Sequence, residues 1–140
     1  MAGASKYLAQ QVLLHTLVNT PMVAVASHKI GLFTADPQDS VTAEVDSSIY
    51  TWYSRQVCDA WSQPVDIGVG GTSTEVRTTG IVAFGPVVGD PIHVYWVGIF
   101  DAANATSLLY SGQINGASGA PLTEGDILQF SPSGVVVTVD

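Results

Sequence analysis

Three histidines, a single cysteine and twelve carboxylates are the side chains through which this 140-residue chain could do chemistry. A zinc site or a histidine base needs ligand spacing, such as an i, i+4 pair on one helix face. His15, His28 and His93 instead fall in one expected helix and two distant expected strands, without such partners. No Gly-x-Ser-x-Gly elbow accompanies the serines, so a nucleophilic triad has no support. Gly68-Val69-Gly70-Gly71 has the glycine content of a phosphate cradle but not the Lys and helix that follow one, and it reads as a hairpin turn. Acids gather at Asp36 and Asp39, at Asp90, at Asp101, and at Glu124 with Asp126. Two such loops meeting could offer oxygens to calcium, but no twelve-residue calcium loop is present. Asp36 before Pro37, Asp90 before Pro91 and Asp101 after Phe100 are good turn formers instead. Cys58 has no partner for an internal disulfide and is expected as a buried thiol. The expectation is a protein with no catalytic residues, no cofactor and no metal.

A binding site made of aromatics is the other chemical option. Tyr50, Trp52, Tyr53 and Trp61 alternate with polar residues. If Ile49 to Ala60 is a strand, Tyr50 and Trp52 share one face and Tyr53 takes the other. Tyr50 and Trp52 are then candidate glycan contacts, against the commoner fate of packing in a core or subunit interface.

The elements that must position these residues are mostly strands. The stretch Tyr95-Trp96-Val97-Gly98-Ile99-Phe100 is an unbroken apolar run ending in an Asp-led turn at Asp101-Ala102, and it fits a strand buried on both faces. Further strands are expected over Met22–Thr34, Ile49–Ala60, Pro64–Val69, Ser73–Arg77, Gly80–Phe84, Pro91–Phe100, Ser107–Ser111, Asp126–Phe130 and Val135–Val139, separated by Gly, Pro, Asn and Asp. The one convincing helix covers residues 5 to about 18, with Ser5 as its cap and Asn19-Thr20-Pro21 as its stop. Leu8, Leu14, Leu17 and Val18 make a partial apolar stripe, with Gln10 and Gln11 interrupting it. The fold expected is all-β: an antiparallel, jelly-roll-like β-sandwich with one short N-terminal helix. Residues 1–20 form the helical arm and residues 21–140 a single β-sandwich domain.

Composition narrows the function. The chain carries a formal charge of −8, with only Lys6, Lys29, Arg55 and Arg77 basic. That argues against nucleic acid as a partner, because phosphate neutralisation needs clustered cations. Charged residues make up 11% of the chain, less than half the roughly 25% of ordinary soluble domains. A surface so poor in charge is suited to burial in a protein assembly. The N-terminus does not read as a signal peptide, and no run approaches the roughly 18 apolar residues of a membrane span. A protein made in a cytoplasm, without a membrane partner, is expected.

The order of several segments resembles a family of small tailed-phage virion proteins identified as head fibre, decoration (cement) or tail fibre proteins. The resemblance is carried by Tyr95-Trp96 with Gly98-Ile99-Phe100-Asp101-Ala102, followed by Leu108-Leu109-Tyr110-Ser111-Gly112. It is also carried by Tyr7-Leu8 with Leu13-Leu14-His15-Thr16-Leu17, and by Ile30-Gly31-Leu32-Phe33-Thr34-Ala35-Asp36-Pro37. Glu44-Val45, Tyr53-Ser54-Arg55-Gln56, Leu122 to Phe130 and Val135 to Val139 add to it, the last two as a closing hairpin. Val97 departs from the family's tryptophan-glycine step, and residues 65–79 do not match. The resemblance implies a non-enzymatic structural protein on the capsid exterior, bound to the major capsid protein as a homotrimer. A tail fibre or baseplate role contacting the host is the alternative it implies. The arm is the expected contact region, through Lys6, Tyr7, Leu8, Leu13, Leu14 and Leu17.

Overall fold

Short apolar runs cut by Gly, Pro and Asp turns fold into strands of two to six residues in the computed structural model, which describes residues 3–21, 24–71 and 73–139. In chain order these are β1 (Gly3–Ala4), α1 (Lys6–Leu17), β2 (His28–Phe33), β3 (Gln56–Val57), β4 (Val65–Ile67), β5 (Ser73–Arg77) and β6 (Val82–Phe84). There follow β7 (Ile92–Val94), β8 (Trp96–Asp101), β9 (Leu108–Gln113), β10 (Ala120–Leu122), β11 (Leu128–Phe130) and β12 (Val136–Val139).

The pairing is nested. β5 pairs with β12, β6 with β11, β7 with β10 and β8 with β9, all antiparallel. The second half of the chain is therefore one long hairpin, turning between Asp101 and Leu108 and wound on itself, which is the pairing of a jelly roll. β2 joins β8 over six residue pairs and is extended by β3, while β1 caps β9, giving the sheet order β1-β9-β8-β2-β3. β4 extends β5 through a turn in which Gly68, Gly70 and Gly71 all have positive φ, so these glycines do make a hairpin.

One face of the five-stranded sheet puts Ile30, Leu32, Val97 and Ile99 into the main core, with Val82, Phe84, Ile92, Val94, Leu122 and Val137 opposite. The other face buries Phe33, Phe100 and Leu108 under Val41, Ala43 and Trp96. β2 and β8 are thus covered on both sides, as the unbroken apolar run through Phe100 predicts. Their centre is the cross-strand pair Gly31↔Gly98. A Cβ at Gly98 would lie 2.6 Å from the Phe33 ring and 2.7 Å from Leu108, and one at Gly31 2.9 Å from the Tyr53 hydroxyl. The missing side chains make the hole that those groups fill.

Around that hole lies a polar knot. Arg55 grips Glu44 with two bonds, Nε to Oε1 at 2.7 Å and Nη2 to Oε2 at 2.6 Å. Its Cζ lies 3.5 Å from the centroid of Phe100, which itself stacks on Phe33 at 5.9 Å. The Tyr53 hydroxyl donates to Glu44 Oε1 at 2.7 Å and accepts the Leu32 N–H at 3.0 Å. Arg55 also donates to the Ala105 carbonyl at 2.7 Å, pinning the β8–β9 turn. Burial, and then the Glu44 charge, push the Tyr53 hydroxyl well above the usual tyrosine range, so it remains a donor.

Several expected elements differ. Ile49–Ala60 is not one strand: only Gln56–Val57 pairs, and residues 47–52 form turns. The Asp46 carboxylate accepts the Ser48 N–H at 2.8 Å, and the Asp46 carbonyl accepts the Tyr50 N–H at 2.8 Å, local bonds that compete with a ladder. The expected strand Pro91–Phe100 breaks at Tyr95, where the chain leaves β10 and joins β2 and β9. β1 and β10 were not anticipated, being too short to show a period, and β10 contains Pro121. The expected closing hairpin is also corrected. β11 and β12 do not pair with each other, because the nested winding gives β11 to β6 and β12 to β5. Of Met22–Thr34, residues 22 and 23 lie outside the described residues, and the strand begins at His28.

Two stability outcomes follow. Arg55→Met strands a carboxylate that is only 14% exposed and uncovers Phe100; it should cost about 3 kcal/mol, or roughly 10 °C of Tm. The double variant Glu44→Gln/Arg55→Met should lose less than Arg55→Met alone in chemical denaturation, since no charge is then left unpaired. Gly98→Ala should cost about 2 kcal/mol by overpacking against Phe33 and Leu108, and Phe33→Leu in the same chain should recover part of that loss.

Candidate functional site

The helical arm is held at both ends. The Ser5 Oγ donates to the Leu108 carbonyl and accepts the Leu8 N–H at 3.2 Å, so the cap is also the anchor to β9. The Ser5 N–H bonds to Leu109 O at 2.7 Å, continuing the β1–β9 ladder. Asp39 accepts the Lys6 N–H at 2.7 Å, placing a carboxylate at the positive end of the helix dipole. At the other end Asn19 is left-handed, the Thr20 N–H returns to Leu14 O at 3.0 Å, and Pro21 stops the helix. The expected bounds and caps are those observed.

What the helix lacks is burial. None of its residues is buried. A bulge between Ile99 and Phe100 leaves Leu109 without a cross-strand partner, and Leu109 lines a crevice with Tyr7, Leu8 and Gln11. Only Leu8 and Gln11 are half-covered there. Leu13 is 54% exposed, Leu17 78% and Val18 64%; Tyr7, Val12 and Leu14 are exposed as well. The polar Gln11 is turned toward the body beside Leu8 while Leu13, Leu14 and Leu17 face outward, unlike an ordinary surface helix. Lys6 is also exposed. The six candidate contact residues are therefore brought together on one short helix.

The charge of the arm sets it apart. Residues 1–35 contain Lys6 and Lys29 and no Asp or Glu, whereas all twelve acids lie beyond, with only Arg55 and Arg77 to offset them. Those two arginines are already paired, Arg55 with Glu44 and Arg77 with Glu75. A mildly basic, apolar helix projects from an acidic body.

A second apolar surface was missed by the sequence reading. Ile99 and Val137 floor a groove of about 360 Å³ walled by Trp61, Tyr110, Val76 and Val139. Trp61 Nε1 is fixed by the Cys58 carbonyl at 2.9 Å, and its ring stands edge-on to His28, 6.0 Å away. Beside the groove Asp59 accepts the His28 N–H at 2.7 Å, a bond that holds its carboxyl below the usual range, and Asp66 accepts the Thr74 hydroxyl at 3.1 Å. The alternation of Val137 and Val139 was the available signal, but only the β5–β12 pairing shows which surface those residues line.

The remaining candidates are dispersed. Tyr50 and Trp52 lie in turns rather than on a strand, so the two-residue period does not align them, and both pack against the main core. Trp52 meets Tyr53 edge-on at 6.1 Å, with its Nε1 buried and unpartnered. His93 stacks on Tyr95 at 4.1 Å and bonds through Nε2 to Ser118 O. Asp36, Asp101 and Asp126 bind backbone N–H groups of their own turns. Among the described residues no group of three or more His, Cys, Asp or Glu side chains is placed to hold a metal, and no helix is long and apolar enough to cross a membrane. Cys58 is buried, and burial raises its thiol pKa.

No curated protein matches the chain. A protein family described as Podophage GP4 fiber I protein gp80 matches residues 3–138, from the first residue of β1 nearly to the end of β12. With a match spanning the helix, the wound sandwich and every loop between them, the chain belongs to this phage fibre protein family, a family of virion structural proteins.

Proposed function

We propose that this virion protein decorates the outside of the capsid and stabilises it, as a closed homotrimer bridging subunits of the major capsid protein. The observation that carries the reading is α1: a capped, anchored helix whose Leu13, Leu14 and Leu17 face outward and none of whose residues is buried in its own chain. An isolated helix of 12 residues is marginal in water, so its stability is completed by a surface beyond this chain. The mechanism needs no chemistry. A protein that binds only the mature shell shifts the shell's equilibrium by mass action, and cyclic closure of the trimer limits growth.

A tail fibre or baseplate role is the second reading, favoured by the family's fibre designation. The two part on copy number and position. Decoration predicts hundreds of copies per virion, ordered at threefold or quasi-threefold positions in an averaged map of the particle. A bare shell with the protein still present in the particle would assign it to the tail. Leu13→Asp/Leu17→Asp should leave the circular dichroism spectrum and Tm of the sandwich nearly unchanged, since both side chains are exposed. The same variant should abolish incorporation into virions; undiminished incorporation would remove α1 from the contact.

A further inference from the structure

We infer that the outer edge of β12 receives an extended segment of a partner protein, which adds a strand to the sheet and buries alternate side chains in the cavity beside it. β12 is the end strand of its three-stranded sheet, hydrogen-bonded there to β5 alone among the described residues. The phase of the ladder decides which backbone groups are left over. Val135 O accepts the Thr78 N–H at 3.0 Å, so Val135 turns its carbonyl toward the β5 side. In an antiparallel ladder every second residue does the same, which gives Val137 and Val139 to β5 and turns the N–H and C=O of Val136 and Thr138 outward. The facing strand keeps the same phase: Arg77, opposite Val136, accepts the Ser62 N–H at 2.7 Å on the side away from β12.

A bare edge by itself is only a template. Here it borders an open cavity of about 340 Å³ between β12 and β9, lined by Val136 and Thr138 and by the apolar Val97, Ile99, Ile114 and Phe130. The outer face of the same sheet is polar, since Arg77 and Glu75 are the cross-strand neighbours of Val136 and Thr138. These features define the occupant. Backbone groups presented at alternate residues are matched by an extended polypeptide, as in strand addition to a sheet edge. One apolar and one polar side are matched by side chains that alternate in the same way. A chain of charge −8 whose two arginines are both paired favours a segment without acids. The inference goes beyond the capsid reading and holds for either position in the virion.

Amide NMR spectra of the full chain test it, with a seven-residue peptide alternating threonine and valine between two lysines as the probe. The amides of Val136 and Thr138 should shift and become protected from exchange. Every second N–H of an added strand faces β12. Of two alternately N-methylated peptides, one methylated on its threonines and one on its valines, one should therefore lose at least about tenfold in affinity and the other should not. Thr138→Pro removes an outward donor while leaving the bonds to β5, at an edge position where proline is tolerated. It should keep a Tm near that of the wild type and bind the unmodified peptide at least about tenfold more weakly. An equal effect of the two N-methylated peptides overturns the inference, as do amide shifts confined to other strands or no binding up to the solubility limit of the peptide. Protection of Val136 and Thr138 that rises with protein concentration alone also overturns it, because a second copy then takes the edge.

Discussion

The structure depends on the empty space between Gly31 and Gly98. Two glycines face each other at the middle of the most buried strand pair, and Phe33, Phe100 and the Tyr53 hydroxyl occupy what their side chains would have filled. Bringing aromatic rings that close to backbone also brings a hydroxyl and two opposite charges into the same confined region. Glu44 and Arg55 satisfy each other there, with Tyr53 and Ala105 O completing their bonds. Replacing such an ion pair with apolar groups can be nearly neutral, while breaking it is costly, so its role is as much geometric as energetic. It ties the irregular crossing over residues 41–55 and the β8–β9 turn to the central sheet, and Tyr53 stacking on Phe84 extends the tie into the main core.

A sheet buried on both faces needs a cover for each, and the chain supplies them unequally. The wound strands β5 to β12 cover the main core except along the groove floored by Ile99 and Val137. The second face is closed by the 41–43 loop and Trp96, while the arm reaches only as far as Leu109. β1 has a further use, since it pairs along part of the β9 edge, which would otherwise stand open as a template for aggregation. The arm is therefore part of the sheet at its first residues and a projecting helix thereafter. Low charge content, outward leucines and an open apolar groove are one property seen from three sides: this chain leaves apolar surface that it does not cover itself.

Local signals were legible where a single residue type decides the outcome. Ser5, Asn19 and Pro21 bounded the helix correctly because caps act within a few residues. Gly68 to Gly71 read as a turn, and Val97 to Phe100 as a doubly buried strand. Legibility failed where two local signals competed. Tyr50, Trp52 and Tyr53 have strand composition, but Asp46 and Ser48 capture the backbone first. Tyr95 sits in an unbroken apolar run, yet the chain changes partners there, which composition cannot register.

The sequence by itself determined the class of the molecule: a β-rich, acidic, charge-poor chain with one capped helix. These follow from residue types and short-range periods, which act over one or two turns of chain. Only the tertiary structure decided the nested pairing, the fill of the Gly31–Gly98 hole by residues up to 69 positions away, and the outward face of α1. Only it assembled Trp61, Tyr110, Val137 and Val139 into a groove. Those outcomes depend on which distant strands share hydrogen bonds, and no local preference encodes that choice.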